Sequence, residues 1–223
     1  MPLRPSPHIK TYVFDAYGTL FDVSSAVMRH ADRIGPDAPA FSALWRQKQL
    51  EYSWILTLSG RFSDFWTLTQ GALDYALASF PGIDRALRPA LLAAYRELGA
   101  YPEVQAALRR LRVGGFKTAI LSNGEPSMLA DAIASAGIGD LIDAVFSVSS
   151  VCAYKTDPRA YAQLLSPLAA SRAEIAFVSS NRWDIAGAVA FGLTSIWINR
   201  SGAPDEYEDL APVAVMRNLE ELG

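Results

Sequence analysis

The sequence contains very little cysteine and histidine. Cys152 is the single cysteine among 223 residues, which excludes both an intrachain disulfide and a metal site built from several cysteines. We interpret Cys152 as a small buried apolar residue. The two histidines, His8 and His30, belong to no recognisable motif. If the protein catalyses a hydrolysis, its general base is therefore expected to be a carboxylate or a metal-bound water.

Strong positive charge and long apolar runs are missing as well. The net charge is -3, so we expect no binding to nucleic acid or to an anionic membrane, because both attract strongly basic proteins. No run is apolar and long enough to span a bilayer, and the Pro-rich residues 1–10 have no hydrophobic signal core. These observations favour a cytoplasmic protein. The 51% hydrophobic content provides ample material for a packed core.

Short apolar runs that end in polar turns predict the strands of a sheet. Helical patterns separate the later runs, and one of them ends at Gly137, a typical helix stop. Strand–helix alternation from about residue 99 onward predicts a parallel sheet covered on both faces. The predicted strands are 9–14, 116–121, 144–148, 175–178 and 194–198, and the predicted helices are 102–113, 126–136 and 157–165.

Residues 22–98 carry helical patterns at 40–58, 62–79 and 86–98, and no convincing strand. The simplest interpretation is a helical insertion after the first strand. We therefore predict an α/β fold with a Rossmann-like parallel-sheet core, formed by residues 1–21 and 99–223, and an inserted all-helical cap subdomain, residues 22–98.

Polar residues follow several of the predicted strands. Asp15 follows the first, Ser122 and Asn123 follow the second, and the segment 179–184 follows a later one. Ligands of open parallel sheets bind outside the carboxyl ends of the strands. We therefore expect these residues to converge on one crevice, although they are far apart in sequence.

Four segments follow one another along the chain, namely 14–22, 122–124, Lys155 before Asp157-Pro158, and 179–184. They resemble the motifs of the haloacid dehalogenase superfamily. Most members are magnesium-dependent phosphatases with carboxylates at the places where this chain has Tyr17 and Ser180. Magnesium favours carboxylate ligands, so these departures argue against a metal site. They are similar to the L-2-haloacid dehalogenase branch, as are Leu-Trp-Arg-Gln at 44–47 and Ser-Ser-Asn-x-Trp-Asp at 179–184. The four segments are Phe14-Asp15-Ala16-Tyr17-Gly18-Thr19-Leu20-Phe21-Asp22, Ser122-Asn123-Gly124, Lys155 before Asp157-Pro158, and Ser179-Ser180-Asn181-Arg182-Trp183-Asp184.

The resemblance implies hydrolysis of short 2-haloalkanoic acids, of the (S) configuration, to 2-hydroxyacids and halide. Asp15 would attack C2 from behind, invert that carbon and form an ester, which splits one hard step into two. Water would then attack the ester carbonyl, with Asp184 as the base. Neither a metal nor another cofactor is implied, and the protein is expected to be a homodimer.

The same resemblance implies roles for further residues. Lys155 would keep Asp15 ionised, because a nearby positive charge lowers a carboxylate's pKa. Arg46, with Asn123 beside it, would receive the departing halide, and a fixed cation there would stabilise the developing charge. Ser122 and backbone amides around Tyr17 would hold the substrate carboxylate, Thr19 would contact Asp15, and Asn181 would orient the water. Ser179 completes the catalytic set, and the pocket residues are Tyr17, Gln47, Leu50, Phe65, Tyr161 and Trp183.

Each of these residues also has an ordinary structural explanation. Asp15 would cap a helix, Arg46 and Lys155 would be solvated, and Asp184 would stabilise a helix N-terminus. Two other functions stay open, namely a magnesium-dependent phosphatase of the same superfamily and an inactive binding protein with this fold. The joint presence of Asp15, Lys155, Asn181 and Asp184 argues against loss of activity.

Overall fold

The computed structural model describes residues 8–222. Most of residues 1–10, the Pro-rich segment in which we expect no signal core, lies outside the described residues. Within them, no helix is long and apolar enough to cross a membrane.

The core is a six-stranded sheet in which every pair of neighbouring strands is parallel, in the order β3-β2-β1-β4-β5-β6. The central strand β1 is buried along its whole length, since β2 and β4 flank it and helices cover the sheet. Strands β2 and β3 lie on one side of β1, and β4 to β6 lie on the other, so the strand order reverses at β1. Folds of this kind bind ligands at such a reversal. The strands are β1 Thr11–Phe14, β2 Lys117–Ser122, β3 Ala144–Ser147, β4 Ile175–Ser179, β5 Thr194–Ile198 and β6 Ala214–Met216.

Helices occupy the segment between β1 and β2, and no residue from 22 to 98 belongs to a strand. The longest helix buries residues at four-residue intervals, which places one stripe against the next helix. Trp45 and Gln49 on this stripe hydrogen-bond to the carbonyl and the hydroxyl of Thr69 at 2.9 and 3.0 Å. The helices are α1 Ser25–Met28, α2 Ala31–Ile34, α3 Ala38–Leu58, α4 Phe65–Ser79 and α5 Arg88–Arg96.

The segment leaves and rejoins the sheet at neighbouring residues. The amide of Asp22 donates to the carbonyl of Gly99 at 3.0 Å, and Phe21 forms an antiparallel bridge with Ala100. The helices of residues 22–98 are therefore connected to the sheet through two adjacent chain crossings.

Five further helices pack around the sheet, namely α6 Val104–Val113, α7 Pro126–Ala136, α8 Pro158–Ala162, α9 Leu165–Leu168 and α10 Arg182–Phe191. The predicted fold class is confirmed. All five predicted strands are present within two residues of their expected ends, and α7 ends at Gly137 in the left-handed conformation. β6 was not predicted, because three residues are too few to show a strand period.

Two further expectations differ from the structure. The helix expected over 157–165 begins as predicted, with the Asp157 side chain accepting from the amide of Arg159, but it ends at Ala162 and α9 follows. Cys152, expected to be buried, is exposed. It lies in a turn with a φ of 49°, so its small side chain points outward at a bend rather than into the core.

Candidate active site

A tight turn at the end of β1 positions Asp15. Its amide continues the strand pairing by donating to Val178 at 2.9 Å, and the amides of Leu20 and Phe21 then fold back onto the carbonyl of Ala16. Gly18 has a φ of +89° in this turn, a conformation that glycine adopts without steric cost. The turn leaves the Asp15 side chain, 5% exposed, at the carboxyl end of the sheet.

Three side chains hold the Asp15 carboxylate. Thr19 donates its hydroxyl to Oδ2 at 3.0 Å, and the Asn181 amide donates to the same oxygen at 2.8 Å. The Lys155 ammonium lies 3.0 Å from Oδ1. The expected contacts of Thr19 and Lys155 with Asp15 are thus present. Three loops that are distant in sequence meet here because they leave the same edge of the sheet.

Lys155 also contacts a second carboxylate. Its Nζ lies 2.8 Å from Oδ2 of Asp184, and the side chains of both residues are fully buried. Burial lowers the pKa of Lys155, but the negative charges of Asp15 and Asp184 more than offset this and raise it above its ordinary value. The ammonium therefore stays charged and is shared between the two carboxylates.

The titration of Asp184 is perturbed by its surroundings. Burial raises its pKa, Lys155 lowers it and Asp15 raises it again, which places it at about 6. The hydroxyl of Tyr161 donates to Oδ1 of Asp184 at 2.7 Å. The resemblance implies a pocket role for Tyr161, whereas the structure buries its ring completely and directs its hydroxyl to Asp184.

Tyr17 forms an aromatic surface beside Asp15. Its ring stacks on Tyr95, with the centroids 5.7 Å apart, and lies 6.3 Å from the ring of Phe65. Burial raises the pKa of Tyr17 well above its ordinary value, so the phenol is neutral. Its buried hydroxyl has no hydrogen-bond partner within residues 8–222. A Cβ at Gly124 would lie only 2.7 Å from the ring, so the close approach requires glycine.

The segment Ser122-Asn123-Gly124 contacts the backbone of Lys155. Asn123 accepts a hydrogen bond from the amide of Lys155 at 3.0 Å, and Ser122 accepts from the amide of Gly124 at 3.0 Å. Both Ser122 and Asn123 are buried. Asn123 thus contacts the loop that carries Lys155, a contact that had not been predicted, whereas Ser122 contacts the backbone of its own turn.

The last motif turns sharply at the end of β4. Ser179 accepts from the amide of Asn181 at 3.1 Å, which orients that side chain toward Asp15. The amide of Ser180 donates to the Thr19 hydroxyl at 2.8 Å, so Thr19 is itself fixed on both sides. The hydroxyl of Ser180 is buried and, in the part of the chain described, lacks a hydrogen-bond partner.

Residues from α3 and α4 approach the cluster from the side opposite the sheet. Arg46 is half-buried, and its Nη2 lies 3.4 Å from the carbonyl of Tyr17. Leu50 is half-buried and Phe65 is fully buried. Gln47, expected to shield the pocket, is exposed, whereas Gln49, two positions along the helix, is buried. A step of two residues on a helix turns a side chain to another face.

Trp183 lies at the edge of the cluster. It is half-buried and packs edge-to-face on Trp54 of α3, with the ring centroids 5.5 Å apart. Both tryptophans line a cleft of about 570 Å³. Lys155, Leu58 and Tyr207 line the same cleft, so it runs between α3 and the sheet domain next to the buried lysine.

Arg200 is a residue that the sequence analysis missed. It follows β5, and its Nη2 donates to the carbonyl of Thr19 at 2.9 Å. Its guanidinium forms an ion pair with Glu103 at 2.6 Å and covers the ring of Tyr101 at 3.7 Å. The only available signal was its position just after a strand, at the same edge as the other site residues.

The Rossmann-like parallel sheet and the cluster define a hydrolase with an aspartate at the end of its central strand. The family model described as haloacid dehalogenase-like hydrolase matches residues 9–192, and the chain belongs to this family. Within residues 8–222, no three His, Cys, Asp or Glu side chains form a group that could hold a metal ion.

Relatives of the chain place it in the L-2-haloacid dehalogenase branch of that family. It is 48% identical over 215 residues to (S)-2-haloacid dehalogenase 1 of Pseudomonas sp. (strain CBS-3), which covers 96% of this chain and 95% of the relative. A dehalogenase crystal structure matches with a TM-score of 0.94 and 43% identity, covering 97% of this chain and 96% of that one. The L-2-haloacid dehalogenase of Xanthobacter autotrophicus, with chloropropionic acid covalently bound, matches with a TM-score of 0.82 and 36% identity over 95% of both chains.

Proposed function

We propose that this protein hydrolyses short (S)-2-haloalkanoic acids to 2-hydroxyacids and halide, with inversion, through an ester on Asp15. The observation that carries the proposal is the buried Asp15–Lys155–Asp184 cluster. It holds one carboxylate ready to attack and a second one ready to accept a proton. The similarity to (S)-2-haloacid dehalogenases supports the substrate class.

The first step forms the ester. A carboxylate oxygen of Asp15 bonds to C2 of the substrate on the face opposite the halogen, and the halide leaves with the bonding electron pair. Lys155, Thr19 and Asn181 contact the Asp15 carboxylate and orient it. Arg46 reaches the turn of Tyr17 from α3, so a cation is available for the departing halide, with Asn123 beside it.

Substrate binding uses the surface around this turn. Ser122 and backbone amides near Tyr17 would bind the substrate carboxylate, which offsets its repulsion from Asp15. Leu50, Phe65 and Trp183 together with the Tyr17 ring would shield C2 from bulk water. Gln47 is assigned to substrate binding by the resemblance alone, because its side chain is exposed in the structure.

The second step hydrolyses the ester. Asp184 removes a proton from water, and the water oxygen bonds to the carbonyl carbon of Asp15. The bond between that carbon and the ester oxygen then breaks, and Asp184 returns the proton to the leaving oxygen, so that the 2-hydroxyacid departs. The second water proton is released to solvent as the Asp15 carboxylate is restored. Esterification neutralises Asp15, and that charge is one cause of the raised pKa of Asp184. Ester formation thus lowers the pKa of Asp184 and prepares it to act as a base. Tyr161 orients Asp184, and Ser179 orients Asn181.

The remaining expectations are proposals about organisation. Residues 22–98 form a cap on a core of residues 1–21 and 99–223, which is supported by the adjacent chain crossings at Phe21 and Ala100. The protein is a homodimer located in the cytoplasm. No metal takes part, since Tyr17 and Ser180 stand where magnesium-dependent members have carboxylates.

Halide release from (S)- and (R)-2-chloropropionate, measured beside phosphate release from p-nitrophenyl phosphate, tests the proposal. Each assay is run with EDTA and with added magnesium. Chloride from the (S) isomer alone, undiminished by EDTA, is the expected result. Magnesium-dependent phosphate release without chloride would replace the proposal with a phosphatase. A single turnover in 18O-water should label Asp15 before the product, as an ester on that residue requires.

A further inference from the structure

Glu125 links the second motif to the helices of residues 22–98. It directly follows Gly124, the glycine that approaches the Tyr17 ring, and it precedes α7. Its Oε1 accepts a hydrogen bond of 2.8 Å from the amide of Phe65, the first residue of α4. The Ser149 hydroxyl donates to the same oxygen at 3.0 Å.

This contact satisfies an amide that has no partner inside its own helix, since the first amides of a helix lack intrahelical acceptors. A carboxylate at this place also interacts favourably with the helix dipole. The other capping residue of α4, Asp64, accepts from the amide of Thr67 at 2.7 Å. Asp64 belongs to residues 22–98, whereas Glu125 reaches α4 from the sheet domain.

The contact also fixes a wall of the proposed pocket. Phe65 lies 6.3 Å from the Tyr17 ring and 5.9 Å from the ring of Tyr154. Tyr154 is tied to the same region by its hydroxyl, which donates to the carbonyl of Ser63 at 2.5 Å. The position of Phe65 over Tyr17 therefore depends on contacts that cross between the two parts of the chain.

We propose that Glu125 is a positioning residue for the dehalogenation: its carboxylate holds the first turn of α4, and thereby Phe65, against Tyr17. The inference rests on the proposed function. It gives Glu125 a role in keeping residues 22–98 packed against the sheet domain, an arrangement that we call the closed form. When the contact is lost, residues 22–98 spend more time away from the sheet domain. A smaller closed population raises the apparent substrate dissociation constant, whereas saturating substrate restores the closed form.

The test compares Glu125→Ala with Glu125→Gln and Asp64→Ala in the full chain. Glu125→Gln keeps an oxygen acceptor for Phe65. Asp64→Ala removes a cap from the same helix, which costs about 1 kcal/mol, and leaves the contact with Glu125. We expect Glu125→Ala to raise the KM for (S)-2-chloropropionate about tenfold, the scale of the lost hydrogen bond to the Phe65 amide, which Glu125→Gln retains. Its kcat should stay within about twofold of the parent, and the two other variants should keep the parent KM.

A second readout is independent of activity. The amide of Tyr154 donates to the Thr57 hydroxyl of α3 at 3.1 Å, so its hydrogen exchange reports separation of the two parts. Exchange should accelerate in Glu125→Ala alone. Unchanged KM and unchanged exchange would overturn the proposal, as would an equal KM increase in Asp64→Ala, which would assign the effect to helix stability. A parent without dehalogenase activity would refute the proposed function, while the exchange of Tyr154 would still decide the role of Glu125.

Discussion

At the scale of single residues, the charge of Lys155 is divided between Asp15 and Asp184. Its ammonium lies 3.0 Å from one carboxylate and 2.8 Å from the other. Two carboxylates on one cation give a net charge of -1 before the reaction, and esterification of Asp15 leaves a neutral Lys155–Asp184 pair. The same buried cluster thus has different electrostatics in the two steps.

Replacement of the nucleophile should abolish turnover without unfolding the protein. Asp15→Asn keeps the shape of the side chain but removes the charge that attacks C2, so we expect kcat to fall on the order of 10⁴-fold or more. Halide release measures the loss, and thermal unfolding checks the fold. Asp143→Asn is the control, because Asp143 contacts Arg112 and Thr118 just before β3, at the other end of the sheet. A turnover of Asp15→Asn equal to that of Asp143→Asn and the parent would rule out the ester mechanism.

Replacement of the base should stop the reaction halfway. In Asp184→Asn, Asp15 can still displace the halide, whereas water has no base for attack on the ester. We expect about one halide per active site in a rapid burst and then little further release. Mass spectrometry of the protein should show the added carboxyalkyl group, 1-carboxyethyl when the substrate is 2-chloropropionate. Steady turnover without a burst would mean that another group activates the water.

The pH dependence follows from the state that Asp184 needs. It acts as a base only when deprotonated, so kcat must fall as the pH decreases through its pKa. That pKa is about 6 in the free site, and neutralisation of Asp15 in the ester lowers it. The acid limb of kcat should therefore lie below pH 6 in a steady-state profile. An acid limb above this value would contradict the assigned base.

At the scale of elements, a loop beyond β5 supports the turn that carries the nucleophile. Arg200 binds the carbonyl of Thr19, and the hydroxyl of Thr19 contacts Asp15. Glu103, just before α6, fixes the guanidinium in turn. The orientation of Asp15 therefore depends on elements at both sides of the sheet.

Weakening this support should reduce the chemical step more than binding. Arg200→Lys keeps the charge but loses the planar guanidinium that contacts Thr19 and Glu103 together. We expect kcat to fall about tenfold, with a smaller change in KM, because a slightly displaced nucleophile attacks less often. Arg110→Lys is the control, since within residues 8–222 Arg110 hydrogen-bonds to the backbone carbonyls of Leu219, Glu220 and Leu222, away from Asp15. If Arg200→Lys had the same kcat as Arg110→Lys, Arg200 would have no role in orienting Asp15.

The sequence predicted the elements whose signals are local. Asp157 begins α8 and Gly137 ends α7 as expected, because a cap and a left-handed glycine act within one turn. The motif residues converge because strand ends meet at one edge of a sheet. The direction of the Tyr161 hydroxyl and the exposure of Gln47 depend instead on the rotation of packed helices. Long-range packing of this kind leaves no pattern in a single sequence.

At the scale of the whole molecule, the proposed homodimer needs an apolar surface. The end of α3 provides one, where Ile55 is 59% exposed and Leu58, at the rim of the cleft, is 84% exposed. Large exposed apolar side chains that lie close together commonly mark an interface. The long helix of residues 22–98 is therefore the place where we expect the two subunits to meet.

Charges on this surface should separate the subunits. Ile55→Lys combined with Leu58→Lys should convert the dimer to a monomer, because unpaired charges are costly to bury in an interface. Light scattering during size-exclusion chromatography gives the mass. Val113→Lys is the control, since Val113 is 90% exposed at the end of α6 in the sheet domain. A monomeric parent, or a double variant that stays dimeric, would contradict the proposed interface.

The crossing of the chain at Phe21 and Ala100 has a consequence for how such a protein can diversify. Residues 22–98 start and end at hydrogen-bonded neighbours, Asp22 and Gly99. Relative to the sheet, they therefore form one loop whose two ends are already in contact. The entropic cost of closing a loop grows only logarithmically with its length. Shorter, longer or unrelated helical modules can therefore be exchanged at this junction while the nucleophile and its lysine stay where they are, so that the residues facing the substrate from the insertion can change independently of Asp15 and Lys155.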